Sequence, residues 1–328
     1  MPGIELTPGT WEDTEAMLGK EFSRAGADAV DLGSIRRRLE VLSFDSPLYR
    51  DEETARRCGY EGIPLPVSMI AAWSLPAYWR PGDPPLGTRV VMPAFPLVQI
   101  PGPGTAVMGS NVDSEYFEPV YVGDRIACVY RLVSVTPKRT RLGEGAFLVV
   151  ETTYRKQTGE VVCIDRYTHF RYTPAPEQEG EAGTTGGPSF EDAGQGERIP
   201  PYSVDLTLQR LVMECGVNRD YAPMHFDRDA VRAEGVKDLF ANTMLLQALF
   251  EVMLRQWMGP AGRIRKMAFR MHALSYVNET LTAHGIVAAR SQQDAGSETV
   301  ELKIWQEASG RRTVSGTAGV ERPLRGVS

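Results

Sequence analysis

With 328 residues and 42% hydrophobic content, the chain holds enough apolar material for two cores, and a net charge of −6 without a Lys/Arg block excludes phosphate-driven nucleic-acid binding. Its four cysteines, Cys58, Cys128, Cys163 and Cys215, form no C-x-x-C pair and no close ladder, which argues against a disulfide framework or zinc site and for reduced thiols in the cytoplasm. The opening MPGIELTPGTWEDTEAM lacks a basic stretch followed by an apolar run, and no segment is long and apolar enough to span a bilayer, so neither targeting nor membrane insertion is predicted.

In chain order, Arg36, Arg37 and Arg38 read as a solvated helix face. The apolar segment PVSMIAAWSLPAYW follows and predicts a buried helix that Pro76 kinks or ends. AVMGSNVDSEYFEPV, DRIACVYRLVSVTP, AFLVVETTYRKQ and EVVCIDRYTHFRY alternate apolar and polar residues and are rich in β-branched and aromatic types, predicting four antiparallel strands. Residues 174–200 shift sharply to Gly, Pro, Glu and Ser/Thr, a composition that cannot bury enough surface to offset its ordering entropy, and predict a linker.

After the linker the pattern repeats. Segment 242–258, NTMLLQALFEVMLRQWM, is apolar on nearly every side, as a helix surrounded by protein should be; only Gln247, Glu251 and Arg255, spaced by four, form a polar stripe, predicted to be a wet edge. IRKMAFRMHAL, TLTAHGIVAARSQQ, TVELKIWQEAS and RRTVSGTAGVER again predict four strands, with turns at Asp294-Ala295-Gly296 and Ser309-Gly310. Two antiparallel sheets, each wrapped around a long central helix, make an α+β double hotdog, with domains at 1–173 and 201–328.

The chemistry-bearing run is Asn218-Arg219-Asp220-Tyr221-Ala222-Pro223-Met224-His225-Phe226-Asp227. It resembles the MaoC-like dehydratases and (R)-specific enoyl-CoA hydratases, whose signature is Asp-x-Asn-Pro-x-His followed by a short helix and the hotdog helix. Asp220, Pro223 and His225 stand at the signature positions, VRAEGV matches the short helix ending in Gly235, and FANTMLL matches the start of the long one. From Asn218 to Gly285 the chain looks most like the catalytic chain of two-component enoyl-CoA hydratases of actinobacterial steroid side-chain degradation. Two positions depart from the general pattern: Ala222 replaces the signature Asn, and Thr243 replaces a Gly at which the thioester approaches the helix. SFDSPLYRDEETARRCGYEGIPLPVSMI lines up with the same region but has Phe44 in place of the Asp and Tyr49 in place of the His, so the resemblance implies a non-catalytic first domain that makes room for a bulky acyl chain.

The residues also make sense without the family. Adding water to a 2-enoyl thioester needs an oriented water, proton exchange and a donor for the enolate oxygen. Asp220 and His225 can do the proton work, while Asn242 and Thr243 open a helix whose free N–H groups favour negative charge; Asn242 alone could equally be a helix cap. The remaining histidines, His169, His272 and His284, have no carboxylate at motif spacing, and no metal-ligand spacing occurs. The expected function is therefore a hydratase or dehydratase of a CoA- or carrier-protein-bound acyl thioester, without cofactor or metal, as a homodimer. Addition of another nucleophile such as an amine, or a non-catalytic partner subunit of a hydratase, are the alternatives. Thioesterase chemistry is disfavoured because Glu251 sits on the expected wet stripe.

Overall fold

A computed structural model describes residues 6–84, 96–175, 196–233, 235–293 and 296–323. The bulk of the expected linker, 176–195, lies outside the described residues, as do Asp294 and Ala295 of the expected turn.

The first half runs α1 (Trp11–Glu15), β1 (Glu21–Ala25), α2 (Leu32–Leu42), α3 (Glu52–Arg57), α4 (Ile70–Trp73), then β2 (Ala106–Tyr116), β3 (Ile126–Thr140), β4 (Gly143–Lys156) and β5 (Val161–Pro174). The second runs β6 (Arg198–Asp205), α5 (Leu208–Asn218), α6 (Arg228–Ala233), α7 (Thr243–Met258), then β7 (Arg263–Met271), β8 (Thr280–Gln293), β9 (Ser297–Ala308) and β10 (Arg311–Pro323). All eight long strands fall on the predicted segments, because their alternation puts one face on the core; β4, for example, buries nearly every second residue. The edge strands β1 and β6 have no such pattern and were not predicted; β6 also begins within the segment read as linker.

The two expected sheets join edge to edge into one ten-stranded sheet of order β1-β3-β4-β5-β2-β7-β10-β9-β8-β6. The seam is the antiparallel pairing of β2 with β7, from Asn111↔Arg270 to Glu115↔Lys266. The halves are mirrored in strand order across it, and an offset of 176 residues, the separation of Arg38 from Glu214, relates them in sequence. At that offset α2 matches α5, and each ends on a left-handed residue, Ser43 (φ 53°) and Arg219 (φ 57°). The turns closing α3 and α6 use glycines at the same offset, Gly59 (φ 82°) and Gly235 (φ 73°), in a backbone region where a Cβ is strained.

The central helices differ. α7 has 16 residues, with Leu245, Ala248, Leu249, Phe250, Met253 and Leu254 fully buried. Its first-half counterpart is only a 3-10 turn, Val67–Met69, continued by the four residues of α4, which ends before Leu75 and Pro76. The long first-half helix is thus corrected to a short one. Among the described residues no helix is long and apolar enough to cross a membrane.

Two further expectations are overturned. Arg38 is not solvated: it lies on the buried face of α2 with Ile35, Val41 and Leu42, and has no exposed surface. Its Nη1 donates to both carboxylate oxygens of Glu214 on α5, at 2.8 and 2.7 Å, and its Nη2 to Asn218. Nor is the polar stripe of α7 a wet edge. Glu251 and Arg255 are buried, and the stripe faces the first half: Gln247 donates to Tyr116 Oη at 2.6 Å, and Arg255 stands over the Tyr49 ring. Buried charges must be paired: Arg38 and Glu251 find their partners in the other half of the chain, while Arg255 donates to Pro260 O and Gly262 O of its own half.

Candidate active site

The site is built where α5 ends. Arg219 takes the left-handed conformation that stops the helix, and the Asp220 N–H then donates to Cys215 O at 3.0 Å, turning the Asp220 side chain inward. The first half grips this turn: Arg219 donates to Leu75 O at 3.1 Å and Pro76 O at 2.6 Å, while Tyr78 Oη donates to Arg219 O at 2.8 Å. Pro223 opens a 3-10 turn, Pro223–His225, whose fixed φ presets the bend and brings His225 back towards Asp220.

His225 Nδ1 lies 2.9 Å from Phe240 O. A carbonyl only accepts, so Nδ1 carries the proton and the neutral ring keeps its lone pair on Nε2. Nε2 faces Asp220 Oδ2 at 3.7 Å, with both side chains about nine-tenths buried. Asn242 is the N-cap of α7: its Oδ1 accepts from Leu245 N at 2.9 Å, and its Nδ2 donates to Asp220 Oδ2 at 3.0 Å. The cap therefore also holds the carboxylate. Thr243 is the first residue of α7, and its hydroxyl lies 2.6 Å from that of Tyr167 on β5. All four residues singled out in the sequence, Asp220, His225, Asn242 and Thr243, thus gather at one helix N-terminus, where unpaired N–H groups and the helix dipole favour developing negative charge. Tyr78, Arg219 and Tyr167 were missed; their roles depend on contacts between halves, which leave no local spacing to read. Among the described residues no cluster of His, Cys, Asp or Glu could hold a metal ion.

Residues 16–165 match the family model described as the FAS1-like dehydratase domain region. A probable enoyl-CoA hydratase alpha subunit of Thermomonospora curvata is 33% identical over 170 residues, 51% of this chain and 53% of that protein. The chain therefore spans about half the length of that curated relative. Among solved structures, a MaoC-like dehydratase matches with a TM-score of 0.71 at 19% identity, covering 95% of this chain and 99% of the other. A Mycobacterium tuberculosis protein described as having a double hotdog fold matches with a TM-score of 0.65 at 11% identity, covering 97% and 99%. The chain has the double hotdog fold of these structures.

The first half repeats the frame of the site without its Asp/His pair. Phe44 and Tyr49 stand at the same interval as Asp220 and His225, and Tyr49 ends the 3-10 turn Pro47–Tyr49 as His225 ends its own. Their rings pack edge to face, 6.5 Å between centroids, where the second half has its ionisable pair. Val67 and Ser68, at the offset positions of Thr243 and Met244, point their N–H groups at the Glu251 carboxylate, each at 2.9 Å, and Tyr49 Oη donates to it at 3.2 Å. A carboxylate from α7 thus takes up the N–H groups at the equivalent position of the first half. The wet position expected of Glu251 is therefore not found: its carboxylate is buried and committed to these three donors.

Proposed function

We propose that the chain is a hydratase/dehydratase interconverting a 2-enoyl thioester and a 3-hydroxyacyl thioester, with Asp220 and His225 as its proton-handling pair. The observation that carries the reading is the approach of Asp220 Oδ2 to His225 Nε2, 3.7 Å, at the N-terminus of α7. A water seated beside this pair meets two acceptors. Asp220 orients it, and Nε2 takes one of its protons as the water oxygen bonds to Cβ. The π electrons move to the thioester oxygen as an enolate, which the first N–H groups of α7 and the Thr243 hydroxyl stabilise. The proton then returns to Cα, so that the elements of water are added and nothing else is consumed; dehydration is the reverse. Phe240 O, holding Nδ1–H, stabilises the imidazolium that forms in between.

The proposed substrate is an acyl-CoA with a bulky acyl group, because the chain resembles steroid side-chain hydratases around Asn218 to Gly285 and its first half has no Asp/His pair to serve a second substrate. We also place the protein in the cytoplasm as a homodimer: its four cysteines are free, and Leu208 and Val212 stand exposed one turn apart on α5. The test is steady-state hydration of short-chain and polycyclic enoyl-CoA by the full chain. Asp220→Asn and His225→Ala should each lower turnover about a hundredfold to ten-thousandfold with an unchanged circular dichroism spectrum. Near-wild-type turnover in both variants would show that the pair is not the catalytic one.

A further inference from the structure

Tyr167 belongs to the half without the Asp/His pair, yet its hydroxyl reaches the opposite half's site. It stands on β5, and Oη lies 2.6 Å from Thr243 Oγ1 at the first position of α7. Space is made for it on β2: a Cβ at Gly109 would fall 2.4 Å from Oη and 3.3 Å from Met271 Cε, so any larger residue there would displace the phenol. The ring is braced by His169, 4.0 Å between centroids. Burial raises the phenol's pKa far above its ordinary value; the bond with Thr243 opposes this, and the Asp220 charge adds to it. Tyr167 is therefore a donor at every working pH, close enough to Asp220 to sense its charge.

Two hydroxyls 2.6 Å apart use one hydrogen between them and leave one free. A phenol is the stronger acid, so the assignment that polarises the chain best has Tyr167 donating to Thr243. Thr243 then donates onward, and the acceptor within its reach is Met271 Sδ at 3.6 Å, a thioether and a weak acceptor. A donor resting on a poor acceptor is readily transferred to a better one.

We propose that Tyr167 is a positioning residue of the acyl site, supplied by the first half: by donating to Thr243 it points the Thr243 hydroxyl at the thioester oxygen and strengthens that donor as enolate charge develops. This rests on the hydratase reading above. It assigns the first half a share in catalysis as well as in shape, and accounts for the Thr at a position where the family places Gly: the side chain that narrows the approach also supplies a donor.

The experiment measures kcat and KM for enoyl-CoA hydration by the full chain carrying Tyr167→Phe, Thr243→Val, Thr243→Ser or both Tyr167→Phe and Thr243→Val, with Asp220→Asn as reference. Loss of a direct oxyanion donor lowers turnover about a hundredfold to a thousandfold. Thr243→Val should approach that range, and Tyr167→Phe, acting through it, should lose about tenfold in kcat with KM changed less than about threefold. The double variant should be no worse than Thr243→Val alone, and Thr243→Ser should keep near-wild-type kcat while Tyr167 is present. If hydration depends on Asp220 but Tyr167→Phe leaves kcat unchanged, or lowers it as strongly on the Thr243→Val background, the relay is wrong and the hydratase reading stands. A wild-type chain with no Asp220-dependent hydration overturns both.

Discussion

Removing Glu251 should unfold the junction between the halves before it touches the Asp220–His225 site. The carboxylate accepts Val67 N and Ser68 N at 2.9 Å and Tyr49 Oη at 3.2 Å, and only 3% of the residue is exposed. Hydrogen bonds to a charged group contribute about 1.5–3 kcal/mol each, and a buried donor left without an acceptor costs about 1–3 kcal/mol. Glu251→Ala strands three donors; water entering the vacated space re-satisfies part of the set, which brings the expected loss to about 3–5 kcal/mol. Glu251→Gln keeps one acceptor oxygen but sets an NH2 against a backbone N–H, and should lose about 1–3 kcal/mol. The assay is urea unfolding of the full chain followed by tryptophan fluorescence and circular dichroism, the midpoint falling in the order wild type, Gln, Ala. Because the vacated position has the shape and polarity of a carboxylate site, formate or acetate should raise the Glu251→Ala midpoint more than chloride at equal ionic strength, by binding the native state alone. If Glu251→Ala unfolds at the wild-type midpoint, the contact carries no stability and the first half is held by other means.

Charge reversal at the buried pair should be strongly non-additive: Arg38→Glu or Glu214→Arg alone should destabilise by about 3–5 kcal/mol or more, and the double reversal should recover over half of that in thermal melting. A double variant as unstable as the sum of the singles would mean that the pair is not coupled. Burial lowers the pKa of His169 from 6.5 to about 3, so between those values the unfolded chain binds a proton that the native chain does not, and stability falls as pH drops through that window. His169→Gln should flatten this acid limb by up to about 1.4 kcal/mol per pH unit, read from urea midpoints at neutral and mildly acid pH; an unchanged slope would assign the acid loss to other groups.

What was legible in the sequence was whatever leaves a local period or spacing. The long strands alternate, α7 is apolar nearly all round, and Asp220, Pro223 and His225 stand in one short run, so fold and site could be read together. β6 was lost because it is an edge strand carrying Pro200 and Pro201, tolerated only where no ladder bond is needed on that side. Arg38 does carry a signal, for it follows Ile35 by three and precedes Leu42 by four, squarely on the helix's apolar face, although a run of three arginines suggests solvent. Glu251 and Arg255 carry no such local signal. A polar stripe on an otherwise apolar helix can face water or another polar surface, and only the tertiary arrangement decides which.

The repeat explains why those residues are charged at all. Arg38 and Glu214 occupy equivalent positions of the two halves and meet across the axis that relates them. In a dimer of identical copies such a position faces itself, and a buried charge would meet its own sign; only a chain whose halves have diverged can place Arg on one side and Glu on the other. The same freedom operates at the sites. Where Phe44 and Tyr49 stand at the positions equivalent to Asp220 and His225, the N–H groups of Val67 and Ser68 still need an acceptor, since buried donors left unpaired destabilise. Glu251 supplies it from the helix that serves the opposite site. The first half therefore differs by more than an Asp and a His: the N–H groups equivalent to the start of α7 are already taken by the chain's own carboxylate, and Arg38, Leu75, Pro76, Tyr78 and Tyr167 hold or touch the elements around Asp220 and His225.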